Sequence, residues 1–266
     1  MPVQVWVGAF LAVVAALLGA LTYRALWRAA GRGAHPGRTV SMAVGSAVLA
    51  VGWAPLWGDG FSGHVAAHLL LGMLGPLLVV LADPLGALLA AAAPPMRRTA
   101  LRWLHHPVVV TVSRPTVAWV LAVLTPWLLW LTPFYRVTED VALLHGLVHL
   151  HFVLSGILFT SVVLGVGPLG RRVPPAAGML ALVVTLPTHA LLGLVVLSMR
   201  EPDLGVASGG LDALADQRRG AVLMWLAGDL IATVMLAAAF PRWLAWERRR
   251  ARREDDWLRT RATGTG

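Results

Sequence analysis

Seven runs of apolar residues constrain this chain more than any other feature of its sequence. The hydrocarbon core of a bilayer is about 30 Å thick, and a helix needs about 20 mostly apolar residues to cross it. Backbone groups in that core must be hydrogen-bonded inside the protein, which favours helices. The runs lie at residues 3–23, 40–57, 64–82, 115–131, 141–165, 176–198 and 220–240. They predict an all-α, polytopic membrane protein built as a bundle of seven transmembrane helices.

The charge content agrees with this interpretation and excludes some functions. Charged residues make up 13% of the 266 residues, whereas soluble domains carry about 25%. All 22 basic residues are arginines, and the net charge is +9. In a soluble protein this excess would suggest a nucleic-acid partner, but between membrane spans the positive-inside rule and anionic lipids explain it. We therefore expect no nucleic-acid partner, and the lack of cysteine excludes disulfides and thiolate metal sites.

The distribution of arginines predicts the orientation. The gaps after the first, third, fifth and seventh runs hold 18 of the 22 arginines, and the remaining gaps hold four. Because arginine is enriched in cytoplasmic segments, we expect the N-terminus outside and the C-terminus in the cytoplasm of a cell (plasma) membrane protein. No positive charge precedes the first run, which favours a retained helix. Residues 1–246 would form the seven-helix transmembrane domain. Residues 247–266 would form a basic, partly disordered cytoplasmic tail, in which an extension of the last helix is followed by disorder.

Two apolar runs carry pairs of histidines with the same spacing. The stretch LLHGLVHLHFVLSGILF contains His145 and His149, and HVAAHLLLGMLGPLL begins with His64 and His68. Residues four apart lie on one face of a helix, so each pair points in one direction. An ionisable side chain inside a bilayer is a functional-site hypothesis by default. The two pairs therefore indicate a metal or cofactor site.

The predicted orientation brings further polar residues to the same level of the membrane. Both histidine pairs fall in the outer half, near the outer ends of the third and fifth spans. His189 lies in the outer half of the sixth span, and Asp216 lies just before the seventh. We expect the two pairs to converge, with His189 and Asp216 as further residues of the metal site. His151 fits a hydrogen bond between helices as well as it fits a ligand.

The ligand types narrow the choice of metal. Imidazole suits copper, zinc, iron and nickel. No HExxH motif or nucleophile–base pair is visible, so we expect no enzymatic activity. Without cysteine, histidine and methionine ligands on the outside favour copper. Haem is the competing hypothesis, because histidines on facing membrane helices also ligate iron axially.

Three stretches of the sequence resemble one family. HVAAHLLLGMLGPLLVVLADP is similar to the HMxxHMLL…P segment of the CtaG-like assembly factors of caa-type cytochrome c oxidases. LLHGLVHLHFVLSGILF is similar to that family's second histidine segment, and DQRRGAVLMW is similar to its DQ…GG…MW stretch. The resemblance extends from about residue 40 to residue 245.

The resemblance implies a seven-helix membrane protein that delivers copper to a haem–copper oxidase or assists its assembly. It implies a metal site at His64, His68, His145 and His149, with Asp216 as a polar partner. The expected partners are the lipid bilayer, oxidase subunits and a copper ion. A haem-binding electron carrier and a metal-free scaffold for oxidase subunits are the alternatives.

The orientation can be tested with reporter fusions. A green fluorescent protein fused after residue 266 should fluoresce, and alkaline phosphatase at the same position should be inactive, because the C-terminus is predicted to be cytoplasmic. Phosphatase inserted in the predicted outer loop at residues 199–219 should be active and serves as the control. An active C-terminal phosphatase would reverse the predicted orientation.

Overall fold

The computed structural model describes residues 3–54, 57, 60–170, 172–200 and 211–263. In these residues the regular secondary structure is helical and contains no strand, so the predicted all-α class is confirmed for the described part of the chain. The helices are α1 (Val3–Ala29), α2 (Pro36–Trp53), α3 (Phe61–Leu69), α4 (Gly75–Ala82), α5 (Pro84–Ala91), α6 (Pro94–Leu104), α7 (Pro107–Val112), α8 (Pro115–Trp119), α9 (Thr125–Trp130), α10 (Phe134–Asp140), α11 (Ala142–Leu164), α12 (Gly167–Gly170), α13 (Pro175–Ser198) and α14 (Leu211–Thr263).

Five helical segments of the described chain are long and apolar enough to cross a membrane. They are Val5–Ala29, Phe61–Ala91, Ala142–Leu164, Pro175–Ser198 and Asp212–Asp255. The protein is therefore a multi-pass membrane protein, as predicted. Helix α2, with 18 residues, and the shorter apolar helix Pro115–Trp130 correspond to the other two predicted spans. The count of seven and the orientation stay predictions.

The last helix begins earlier than expected. It begins at Leu211, not near residue 220, so the second half of the predicted outer loop is helical. Residues 201–210 of that loop lie outside the described residues. At the other end α14 continues through the arginine-rich segment to Thr263. Arginine and alanine are good helix formers, which agrees with this extension.

The segment Phe61–Ala91 is the centre of the bundle, and it is interrupted twice. In its most apolar stretch 61% of the residues are buried inside the protein, compared with 11% in the first membrane-length helix, α1. A π-helical turn at Leu70–Leu74 joins α3 to α4. A second break follows α4, where Asp83 adopts the left-handed conformation (φ 56°) and its carboxylate accepts a hydrogen bond from the Gly86 N–H at 3.0 Å. Pro84 then starts α5, at a position where a missing N–H costs nothing.

The other helices pack around this central segment. Helix α2 packs against α4, and α1 packs against α2 and α5. Helix α14 lies along both α3 and α13, whereas α11 contacts the π-helical turn and α4. Gly156 of α11 closely approaches Gly72 of the π-helical turn: a Cβ on Gly156 would overlap the Gly72 carbonyl and come within 2.8 Å of Pro76 Cγ. Glycine lets two membrane helices approach to backbone contact.

The close approach predicts a specific sensitivity to added volume. Gly156→Ala should lower the free energy of unfolding by about 1–3 kcal/mol, because the methyl group must displace backbone. Gly146→Ala, on the same helix with no atom within 4 Å of the added Cβ, is the matched control and should have little effect. Unfolding by sodium dodecyl sulfate in mixed micelles measures both. Equal stability of the two variants would contradict the assigned contact.

Candidate metal centre

Helix α3 carries the first histidine pair, and a carboxylate from α14 holds its beginning. Asp216 accepts hydrogen bonds from the Ser62 backbone N–H at 3.1 Å and from the Ser62 hydroxyl. The first N–H groups of a helix have no partner within the helix, and a carboxylate there also interacts favourably with the helix dipole. Asp216 therefore fixes the start of α3, two residues before His64.

The π-helical turn at Leu70–Leu74 brings α3 and α11 together. It follows His68 almost directly and places Gly72 against α11, where a Cβ would lie 2.9 Å from Phe152 Cδ1. Single π-helical turns inside α-helices occur frequently at functional sites. Here the turn and its glycine let α11 lie close enough for the two histidine pairs to face each other.

Three of the four histidines form a compact set of ligand atoms. One ring nitrogen from each of His64, His145 and His149 lies within 4.8 Å of the others. The ring centroids of His145 and His149 are 4.4 Å apart, and those of His64 and His145 are 5.2 Å apart. Since a zinc-type ion binds imidazole nitrogen at about 2.0–2.1 Å, small side-chain rotations would bring these nitrogens onto one ion.

His68 lies one turn deeper and completes what we call the histidine cluster (His64, His68, His145 and His149). Its ring centroid is 4.5 Å from that of His64 and 5.0 Å from that of His149. The side chain is 2% exposed, and neither ring nitrogen has a hydrogen-bond partner within the described residues. Buried polar atoms almost always have a partner, and an exception requires an explanation such as an ion or a water. The donor chemistry of the cluster therefore fits a metal ion.

Aromatic side chains surround the cluster. Tyr135 of α10 lies edge-on to His64, with ring centroids 5.1 Å apart, and Trp53 of α2 lies 5.5 Å from His149. Phe152 and Trp130 lie 4.2 Å and 5.8 Å from His68. His68 and His149 are buried, whereas His64 and His145 are partly exposed. The cluster is thus accessible from the end where α3 begins and closed at its deeper end.

The remaining predicted site residues lie elsewhere. Among the described residues, Asp216 is outside the three-histidine set, and its hydrogen bonds go to Ser62. His189 of α13 faces α14, where its Nδ1 is 3.8 Å from Asp229 Oδ1. His151 points away from the cluster, and its Nε2 is 3.0 Å from the Leu121 carbonyl oxygen and 2.9 Å from Thr125 Oγ1. Because a carbonyl oxygen can only accept a hydrogen bond, His151 Nε2 carries the proton. His151 thus links α11 to the segment of Leu121 and Thr125 at the start of α9.

Sequence reasoning missed two features of this region. Asp229 is a carboxylate in the middle of the apolar run AVLMWLAGDLIATVML, and a charged residue in such a run is itself a signal of function. The π-helical turn had no sequence signal that we recognise. It was accessible only through the structure.

The region of both histidine pairs matches a known protein family. Residues 4–245 match the family described as cytochrome c oxidase caa3 assembly factor (Caa3_CtaG). The match covers every residue of the histidine cluster and the carboxylates Asp216 and Asp229. No solved structure matches the chain.

Curated relatives come from mycobacteria. An uncharacterized protein of Mycobacterium bovis is 31% identical over 227 residues, which cover 79% of this chain and 33% of the relative. An uncharacterized protein of Mycobacterium leprae is 30% identical over 208 residues, which cover 73% of this chain and 32% of the relative. The chain thus spans about a third of the length of the curated relatives it matches.

The geometry predicts which histidines control metal affinity. His64→Ala and His145→Ala should each weaken metal binding by more than about 100-fold, since loss of a ligand should cost more than the 10–100-fold that loss of a supporting group costs. Competition with a chromophoric chelator measures the affinity in detergent. His151→Gln, on the same helix as His145, is the matched control and should bind normally. Equal affinities in all three variants would exclude the cluster as a metal site.

Proposed function

Because the chain belongs to the family of cytochrome c oxidase caa3 assembly factors, we propose that it acts in oxidase maturation by holding a copper ion at the histidine cluster. The observation that carries the proposal is His68, a fully enclosed imidazole whose two ring nitrogens lack hydrogen-bond partners within the described residues. An unpaired polar group in this position costs free energy unless a ligand compensates it.

The ligand set supports a borderline metal such as copper over hard cations. Four imidazoles and no carboxylate form the cluster, which suits copper or zinc and not the hard cations calcium and magnesium. A zinc hydrolase would also need a general base beside the metal, and neither histidine pair is followed by the glutamate of an HExxH motif. A role in binding and transfer, without catalysis, is consistent with this arrangement.

The packing of α11 against the π-helical turn that follows α3 argues against haem between the pairs. A porphyrin ligated by histidines of the two helices has to lie between them. The backbones of Gly72 and Gly156 are in contact one to two turns below the cluster, and ring centroids within the cluster are 4.4–6.1 Å apart. Four imidazoles at these distances leave room for an ion but not for a macrocycle.

The proposed partners follow from the position of the cluster. The cluster opens at the end of the bundle where α3 begins, which the arginine distribution predicts to be the outside. Copper would then be received and released on the outer side of the plasma membrane, where a subunit of a haem–copper oxidase can accept it. Asp216, by holding the start of α3, would keep the cluster at this surface.

Oxidase maturation in cells lacking the gene tests the proposal. His68→Ala or His149→Ala should fail to restore oxidase activity although the protein stays in the membrane, because each variant removes a buried ligand. His105→Ala should restore activity, since His105 is exposed and contacts Arg172 at 2.9 Å, away from the cluster. Copper and haem contents of the purified protein are measured in parallel.

The outcomes separate three functions. Bound copper without a Soret band supports copper handling. A Soret band with stoichiometric haem would contradict copper handling and support a function in electron transfer. Normal oxidase maturation by the double variant His68→Ala/His149→Ala would contradict the copper proposal. The protein would then act as a metal-free scaffold for oxidase subunits.

A further inference from the structure

A buried cavity lies directly beneath the histidine cluster. It has a volume of about 50 Å³, and His68 forms part of its wall nearest the cluster. His189 of α13 also lines it, together with Met73, Met224 and Met235. Three of the eight methionines of the chain thus line one cavity. We call it the methionine cavity.

The methionines reach the cavity from two elements with regular spacing. Met224 and Met235 are eleven residues apart on α14, close to three helical turns, so they share a face. Met73 follows His68 by five residues within the π-helical turn, where the hydrogen-bond repeat is i to i+5. The same turn that brings α11 to α3 therefore also places a thioether below His68.

His189 has a carboxylate on one side of its ring. Its Nδ1 lies 3.8 Å from Asp229 Oδ1, and the side chain is 9% exposed. Nδ1 has no hydrogen-bond partner within the described residues. A metal-ligating histidine usually directs its second nitrogen to a carboxylate, which fixes the ring and leaves the opposite nitrogen for the metal. Asp229 is placed for this role, and Nε2 is the nitrogen that it leaves free.

A glycine permits this approach of α14 to His189. A Cβ on Gly228 would lie 3.0 Å from His189 Nδ1. A larger side chain would push the imidazole away from Asp229. The pair is therefore built into the packing of α13 against α14.

We propose that the methionine cavity is a second metal site, selective for Cu(I). Thioether sulfur is a soft ligand that selects Cu(I) and is a poor ligand for hard cations. Two imidazoles and thioethers are neutral donors, and the nearby Asp229 carboxylate balances the single positive charge of the ion. Two enclosed imidazoles supply the nitrogen ligands: His68, whose ring nitrogens both lack partners within the described chain, and His189 through Nε2.

The cavity and the histidine cluster share one residue. His68 contacts His64 and His149 on one side and lines the cavity on the other. An ion moving between the two sites would keep His68 as a ligand throughout. This transfer depends on the proposed function, whereas Cu(I) binding in the cavity does not.

Copper K-edge X-ray absorption of the full chain in nanodiscs, loaded with Cu(I) under anaerobic conditions, tests the site. Unaltered protein should show sulfur scatterers. Met73→Leu/Met224→Leu/Met235→Leu should lose the sulfur signal and one bound copper, since leucine nearly conserves the volume of methionine. Met179→Leu, which removes a partly buried thioether that does not line the cavity, is the matched control and should retain both.

Asp229→Asn provides a second measurement in a protein with all thioethers in place. Cu(I) affinity should fall about 10–100-fold, as expected when a supporting carboxylate is lost, while sulfur scattering persists. Unchanged affinity would overturn the role assigned to Asp229.

The two copper proposals fail in different ways. In one outcome the bound copper shows nitrogen scatterers only, is lost in His64→Ala/His145→Ala, and is bound in the same amount by the triple methionine variant. This outcome would overturn the cavity site but would still support the histidine cluster. Sulfur-ligated Cu(I) that survives His64→Ala/His145→Ala would support the cavity site independently of the cluster. No copper binding in any form would overturn both.

Discussion

The contact between two backbones, at Gly72 and Gly156, is the constraint on which the rest of the structure depends. It brings α11 against the centre of the bundle with no side chain between them. The separation of the two histidine pairs follows from it, because α3 and α11 carry the pairs just above this contact. The cavity follows as well, since the π-helical turn that offers Gly72 also directs Met73 beneath His68. A membrane protein gains little from the hydrophobic effect between helices, so close packing of this kind must hold the bundle together.

The second constraint is the cost of polar groups inside a bilayer. Some polar side chains of the bundle have partners in the protein: Asp216 accepts hydrogen bonds from Ser62, and His151 lies against Leu121 and Thr125. His68, His149 and His189 differ, because ring nitrogens of all three are buried without a hydrogen bond within the described residues. Protein interiors rarely tolerate such atoms unless function requires them. His68 and His149 belong to the histidine cluster, and His68 and His189 lie on the wall of the methionine cavity.

Several properties were accessible from the sequence because they depend on local spacing alone. Apolar runs of membrane length predict helices, and a four-residue separation places His64 with His68, and His145 with His149, on one helical face. The sequence also carried the signal of Asp229, since a carboxylate in an apolar run is conspicuous. Asp216 was predicted to support the metal site, whereas the structure places its carboxylate on the N-terminus of α3.

The sequence by itself determined the helical class, the membrane setting and the family, since these depend on composition, run length and short motifs. Only the tertiary structure decided which polar groups meet. The separation of the two histidine pairs depends on the packing of α11 against the π-helical turn and α4. The methionine cavity draws residues from α3, the π-helical turn, α13 and α14. The pairing of His189 with Asp229 depends on Gly228 at a contact between helices. Such contacts join residues far apart in the chain, and their geometry is set by interhelical packing, which no local periodicity encodes.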